Sequence, residues 1–199
     1  MKSICSALLL AVATAGLSAQ PPDRSKPPAL GPAPTLKLPA IQKRQLSNGL
    51  PVWIVEMHEV PVAQVNLVVS SGTADDPAGK FGVASLTTAM LTEGAGSRAA
   101  LEIADAIDFL GADLSASSGF DSMAVRLHAP VARLSDALPI MADVARRPTF
   151  PQDELERLRQ QRLTSLVQAR DDASTIASLA LSRVLFQQGR FGTAAMGTA

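Results

Sequence analysis

Apolar and polar residues alternate along several short segments of the chain, a pattern typical of half-buried β-strands. In residues 63–69, for example, Ala63, Val65 and Leu67 share one face because polar residues separate them. Strands are predicted in residues 50–56, 63–69, 113–118 and 121–128. Only a short turn separates the last two segments, so we expect them to pair as an antiparallel hairpin.

Other segments show the three- and four-residue spacing of amphipathic helices. Leu101, Ala104 and Ile107 fall on one stripe. Ser97 is expected to cap this helix, and Asp172 to cap the last one. Helices are predicted in residues 81–92, 97–110, 133–146, 151–169 and 173–187. Because neighbouring strands lack an intervening helix, this order predicts an α+β two-layer sandwich, in which helices pack on a mixed, mostly antiparallel sheet.

The N-terminal region differs in composition from the rest of the chain. Residues 1–19 combine one lysine, a short apolar stretch and small residues at the end, which is the pattern of a secretory signal peptide with its cleavage site. The alternative is an uncleaved membrane anchor. We therefore expect an exported protein, periplasmic or secreted, with no membrane span after signal cleavage. Residues 20–44 are proline-rich and are predicted to form an extended linker. Residues 45–199 are predicted to form the folded domain.

Composition excludes several classes of function. The 18 basic and 18 acidic residues cancel, so no basic field is available to attract nucleic acid. The single cysteine, Cys5, cannot form an internal disulfide or a zinc site built on two thiolates. The only histidines are His58 and His128. Because they lie far apart, no helix can carry the paired histidines of a zincin.

From about Leu46 to Gly192 the chain resembles the pitrilysin/insulinase family of zinc metallopeptidases. The motifs that carry the resemblance are Leu-Ser-Asn-Gly-Leu at 46–50, Asp-Asp at 75–76, the segment 82–94, Leu-Gly-Ala-Asp-Leu-Ser-Ala at 110–116, Arg-Pro-Thr-Phe-Pro at 147–151 and Arg-Asp-Asp at 170–172. The resemblance implies the fold shared by LuxS and the processing peptidases. It also implies that the domain is incomplete at residue 199 and that a second homologous domain follows it.

Active members of the family carry H-x-x-E-H on the first helix and a further glutamate about eighty positions later. The resemblance places the two histidine positions at Ser85 and Ala89, the general base at Thr88 and the last ligand at Ser165. A neutral hydroxyl is a poor zinc ligand, a methyl group offers no lone pair, and threonine cannot act as a carboxylate base. We therefore expect no metal site and no catalytic residue at these degenerate positions.

In relatives, a strand equivalent to residues 113–118 pairs with extended peptide through its main chain. The resemblance therefore assigns substrate binding to the small, uncharged run Leu114, Ser115, Ala116 and Ser117. The alternative is that these small residues simply pack beneath a helix. Both interpretations remain open from the sequence.

Two functions are compatible with these features. In the first, the chain is the non-catalytic subunit or half of an exported metallopeptidase assembly acting on peptides. It is then inactive alone and holds no cofactor, and the zinc lies in a catalytic insulinase-family subunit or a second homologous domain. In the second, the chain is a stand-alone peptide-binding or assembly module without a peptidase partner. An enzyme with relocated ligands is the least favoured hypothesis.

Overall fold

A computed structural model describes residues 31, 35, 38–187 and 189–197. The predicted signal peptide and most of the predicted linker lie outside the described residues. By internal packing the chain divides into two compact units, Met1–Glu56 and Met57–Ala199. None of the helices in the described ranges is both long and apolar enough to span a membrane.

The described part of the first unit is a β-hairpin. Strand β1 (Ile41–Gln45) pairs antiparallel with β2 (Pro51–Val55). Gly49 adopts a left-handed conformation at the turn, which glycine tolerates because it lacks a Cβ. Since β1 begins at Ile41, the hairpin includes residues that the sequence had assigned to the linker of 20–44. The reason is the hairpin ladder to β2, which supplies β1 with hydrogen-bond partners.

The second unit is built on one antiparallel sheet with the strand order β3–β7–β6. These strands are β3 (Val62–Val69), β6 (Asp113–Ser118) and β7 (Met123–Pro130). The predicted hairpin is confirmed, because β6 and β7 pair along their full overlap. The predicted α+β class is also confirmed, since helices pack on this antiparallel sheet.

Helices α2 (Ala100–Phe109) and α3 (Leu134–Arg146) cover one face of the sheet. On β7, alternate residues are buried, and Leu127 at the centre is 0% exposed. The remaining members of this core come from both helices and from the short segment before α2: Ala95, Ile103, Ile107, Ala137, Ile140, Met141 and Val144. This alternation gives the sheet its second, polar face, which carries Asn66, Arg126 and Ser115 in register across the strands.

The second unit also contains the α-helices α1 (Val83–Met90), α4 (Gln152–Ala169) and α5 (Ala173–Phe186), and short 3-10 helices at Thr73–Asp75 and Val131–Arg133. As predicted, the side chain of Asp172 caps α5 by accepting a hydrogen bond from Ser174 N at 2.9 Å. The predicted cap at Ser97 is wrong. A small hairpin of β4 (Gly94–Ala95) and β5 (Arg98–Ala99) occupies this region, so α2 begins only at Ala100.

Candidate functional site

The start of helix α1 is held by a preceding aspartate. Gly82 has a left-handed backbone, with φ of 95°, which reverses the chain into the helix. The carboxylate of Asp76 then accepts hydrogen bonds from Gly82 N at 2.6 Å and Ala84 N at 2.9 Å. Because these amide groups have no partner within the helix, Asp76 acts as its cap from outside the first turn. This cap fixes the helix that carries Ser85 and Thr88.

A guanidinium group from α4 binds Ser85, the residue at the first histidine position. Arg162 Nη1 donates one hydrogen bond to Ser85 Oγ at 2.6 Å and another to Gly82 O at 3.1 Å. Ser85 Oγ in turn donates to Gly82 O at 3.2 Å. The three groups therefore form a closed hydrogen-bonded triangle that joins α1 to α4.

The Arg162 side chain is half-buried, and this burial lowers the pKa of its guanidinium group. Within the described residues it forms no ion pair with a carboxylate, and its hydrogen-bond acceptors there are the neutral oxygens of Ser85 and Gly82. Sequence reasoning missed this residue. A single arginine within a polar helix carries no local signal of its contact with a serine 77 positions earlier.

At the other degenerate positions, Thr88 and Ser165 form local hydrogen bonds, and Ala89 is half-buried on α1. Thr88 is 4% exposed, and its hydroxyl contacts the carbonyl oxygens of Ala84 and Ser85, each at 3.1 Å. On α4, Ser165 Oγ donates to the carbonyl of Gln161 at 3.1 Å. Helices α1 and α4 contact one another, and the hydroxyl groups of Ser85, Thr88 and Ser165 are bonded to backbone carbonyls, with Ser85 also bonded to Arg162.

These residues do not fit a zinc ion. Zinc in proteins requires imidazole, thiolate or carboxylate ligands, whereas these positions offer hydroxyls, a methyl group and a neighbouring cation. In the described ranges, no cluster of three or more histidine, cysteine, aspartate or glutamate residues could hold a metal ion. No step of a metal-dependent hydrolysis can be derived for this chain.

The two histidines lie in different parts of the second unit. His128 lies on β7, on the polar face of the sheet, with Gln64 and Asp113 as its cross-strand neighbours. His58 lies in the connection before β3 and is exposed. Neither histidine lies on α1 or α4, the helices that carry the expected ligand positions.

Strand β6 carries the predicted peptide-binding run. Leu114 and Ala116 pack against the core. On the opposite face Ser115 is exposed, and Ser117 Oγ accepts a hydrogen bond from Arg126 Nη1 at 3.0 Å. Strand β7 pairs with one side of β6, while no described strand pairs with its other side. Alternate main-chain N–H and C=O groups are therefore directed outward along that edge.

A cleft of about 530 Å³ opens beside the start of β6. Its apolar floor includes Ile103, Ile107 and Leu114, and its rim carries several acidic side chains. One of these is Glu93, which follows α1 in the chain. Its carboxylate accepts a hydrogen bond from Arg157 Nη2 at 2.8 Å. Hydrogen bonds to Glu154 and to Glu93 raise the pKa of Arg157.

Comparison with known proteins gives a consistent family assignment. The insulinase family (peptidase family M16) matches residues 52–199. A Helicobacter pylori protein named non-peptidase homolog YmxG is 24% identical over 164 residues, covering 82% of this chain and 38% of that protein. An uncharacterized zinc protease of Rickettsia bellii is 24% identical, covering 77% of this chain and 37% of that protein. The chain thus spans less than two-fifths of the length of these relatives.

A solved structure gives the same picture. The inactive domain of a peptidase M16 from Pseudomonas fluorescens is 31% identical and superimposes with a TM-score of 0.77, covering 80% of this chain and 39% of that one. The description as inactive applies to the Pseudomonas fluorescens protein. This chain shares its fold and, at the positions where the family carries its zinc ligands, has no residue suited to zinc. The chain therefore belongs to the insulinase family of peptidases, peptidase family M16, as a degenerate member.

Proposed function

We propose that this chain is the non-catalytic part of an exported insulinase-family assembly and that it binds extended peptides. The observation that carries the proposal is the contact between Arg162 and Ser85 within a preserved family fold. The packing of α1 against α4 uses this contact and does not require a metal. The scaffold can therefore keep its folding and association surfaces without catalytic chemistry.

The assembly partner is a catalytic insulinase-family subunit or a second homologous domain. Helix α5 supports this part of the proposal, because no residue of it is buried within the described chain. Val184 is 73% exposed, and the other large apolar side chains of α5 that are exposed are Ile176, Leu179, Leu181, Leu185 and Phe186. An apolar surface of this kind is typical of a protein interface. We assign this surface to a homologous domain, because the relatives are more than twice as long as this chain.

Peptide binding is assigned to the outer edge of β6. No described strand pairs with the outer side of β6, so a strand added there can form main-chain hydrogen bonds independent of its own sequence. This mode suits a protein that handles varied unfolded peptides. The predicted signal peptide in residues 1–19 supports export, and the periplasm or the extracellular space is the proposed location.

The assembly is tested by mixing the purified chain with an insulinase-family protein from the same genome that carries H-x-x-E-H. We expect a stable complex by size-exclusion chromatography with light scattering, and chelator-sensitive cleavage of an unfolded peptide only when the catalytic protein is present. The variant Leu181→Glu/Leu185→Glu should weaken the complex. Gln160→Glu, at an exposed position on α4, is the matched control.

Two outcomes would contradict this function. Stoichiometric zinc in the chain alone, together with chelator-sensitive cleavage, would establish an enzyme with relocated ligands. Peptide binding without any complex, repeated with every H-x-x-E-H protein of the genome, would instead favour the stand-alone peptide-binding module.

Main-chain pairing at β6 is tested with N-methylated peptides. In an extended strand, successive N–H groups point to opposite sides, so methylation of alternate residues blocks one side only. One methylation series should abolish binding, and the series shifted by one residue should retain it. Equal effects of the two series would overturn the assignment to a strand edge.

A further inference from the structure

The guanidinium group of Arg162 has hydrogen-bond donors that no residue of the described chain uses. Nη1 donates to both Ser85 Oγ and Gly82 O, whereas Nε and Nη2 donate to no described residue. Among the described residues that are not exposed, no side-chain nitrogen or oxygen atom is both buried and without a hydrogen-bond partner. Nε and Nη2 are therefore reachable from outside the protein, although the side chain as a whole is half-buried.

The positive charge of Arg162 also lacks a carboxylate partner in the part of the chain that the structure describes. The first turn of α1, against which the guanidinium group packs, contains no acidic residue. The carboxylate of Asp76 at this end of α1 is bonded to two backbone amides. On α4, the positions three and four residues away, where an ion pair could form, are Leu158, Arg159, Ser165 and Leu166. A partly desolvated cation therefore remains without a counter-charge from its neighbours on either helix.

The start of α1 and the end of β6 lie at the same end of the second unit. The loop of residues 72–76 connects them, because Thr73 N donates to Gly119 O at 3.0 Å and Ala74 N donates to Phe120 O at 2.9 Å, while Asp76 caps α1. Helix α1 also contacts β6 directly. A peptide paired with β6 therefore extends toward the end of the unit that carries Arg162.

We propose that the Nε–Nη2 edge of Arg162 binds a carboxylate group of a bound peptide. These two nitrogen atoms lie on one side of the planar guanidinium group, and their spacing matches the two oxygens of a carboxylate. A carboxylate supplies both the missing acceptors and the missing counter-charge, whereas a neutral group supplies acceptors alone. The terminal carboxylate of a peptide and an acidic side chain share this chemistry. The inference rests on the proposed peptide binding, because the peptide carries the carboxylate to the site.

The site is tested by fluorescence anisotropy of the full chain with peptides of serine, threonine and valine that carry a neutral fluorophore at the N-terminus. One pair differs only at the C-terminus, which is a free carboxylate or a carboxamide. A second series keeps the carboxamide and moves a single glutamate along the sequence, and each peptide has a glutamine partner. We expect one carboxylate to tighten binding about tenfold, with a smaller gain at high salt. A gain from the free C-terminus assigns the terminal carboxylate, and a gain from glutamate assigns a side chain.

Variants of α4 test whether Arg162 causes this gain. Arg162→Gln should reduce it to less than about twofold, and Arg162→Lys should keep only part of it, because lysine keeps the charge but cannot form the bidentate pair. Arg159→Gln is the matched control, since Arg159 is exposed on the same helix and pairs with Glu156. It should retain the full gain. Circular dichroism checks that each variant folds, and Arg162→Lys decides if Arg162→Gln does not.

The possible failures are distinguishable. Equal binding of carboxylate and neutral peptides to the unmodified chain would overturn the carboxylate site and leave the proposed peptide binding intact. An undiminished gain in the folded Arg162 variants would overturn the site as well, because recognition would lie elsewhere. If Arg162→Gln weakens only the complex with the H-x-x-E-H protein, the counter-charge comes from that partner and the assignment to a peptide is wrong. Failure of every peptide to bind would overturn both the site and the proposed peptide binding.

Discussion

Arg162 and Ser85 form a hydrogen bond of 2.6 Å between two helices, at a position where catalytic relatives are expected to carry a metal ligand. The same guanidinium also binds the carbonyl oxygen at the start of α1. The guanidinium group of Arg162 therefore links α4 to α1 through hydrogen bonds alone, and this link needs no metal ion.

The energetic link between the two residues can be measured by a double-mutant cycle. Ser85→Ala and Arg162→Ala should each change the free energy of unfolding, and the double variant should show a coupling of about 1.5–3 kcal/mol, typical of a hydrogen bond to a charged group. Urea denaturation followed by circular dichroism gives all four values. In Ser85→Ala the half-buried guanidinium of Arg162 loses one acceptor, which by itself destabilises the fold. The cycle compares this change with the change in the Arg162→Ala background, so the coupling energy reports on the contact between the two side chains. Additive effects would show that the contact contributes no stability.

Zinc ligands introduced at the degenerate positions should bind the ion only weakly while Arg162 is present. We expect Ser85→His/Thr88→Glu/Ala89→His/Ser165→Glu to bind zinc at least about tenfold more weakly than the same variant with Arg162→Ala added, because the guanidinium repels the ion. Competition with a fluorescent chelator measures both affinities, and circular dichroism confirms that both variants fold. Equal zinc affinities in the two backgrounds would show that Arg162 does not exclude the metal.

Loss of the Asp76 carboxylate should weaken the start of α1. Asp76→Ala removes the acceptor for Gly82 N and Ala84 N and should lower the free energy of unfolding by about 1 kcal/mol, the usual effect of a lost helix cap. Asp76→Asn keeps one acceptor and should cost less. Asp105→Ala, at an exposed position, is the control in the same urea titration. Equal stability of Asp76→Ala and Asp105→Ala would contradict the capping role.

Stability should fall in acid partly because Asp143 becomes protonated. Hydrogen bonding to Arg147, with a further contribution from Arg98, lowers the pKa of Asp143 below its ordinary value of 3.8. The contribution of the Asp143 carboxylate to the free energy of unfolding is therefore complete above its pKa in the unfolded state. This contribution is lost as the pH decreases through its pKa in the folded state. Asp143→Asn should destabilise the domain at neutral pH and reduce the loss of stability below about pH 4. Thermal unfolding at several pH values measures this, and an unchanged pH profile would contradict it.

Local patterns were sufficient to predict most elements of the second unit. The alternation in residues 113–118 and 121–128 predicted the β6–β7 hairpin, because sheet geometry imposes a two-residue period on burial. The cap at Asp172 was predicted because a carboxylate next to exposed amide groups acts locally. The β4–β5 hairpin was missed. Its strands are too short to show a period, and they depend on contacts such as that between Ala95 and Pro148.

By itself, the sequence determined that a zincin motif is impossible, because only two histidines exist and they are far apart in the chain. Only the tertiary structure decided which groups contact the degenerate positions. Arg162 meets Ser85 through the packing of two separate helices. Contacts between residues distant in sequence leave no periodic signal, because they depend on how whole helices and strands are arranged.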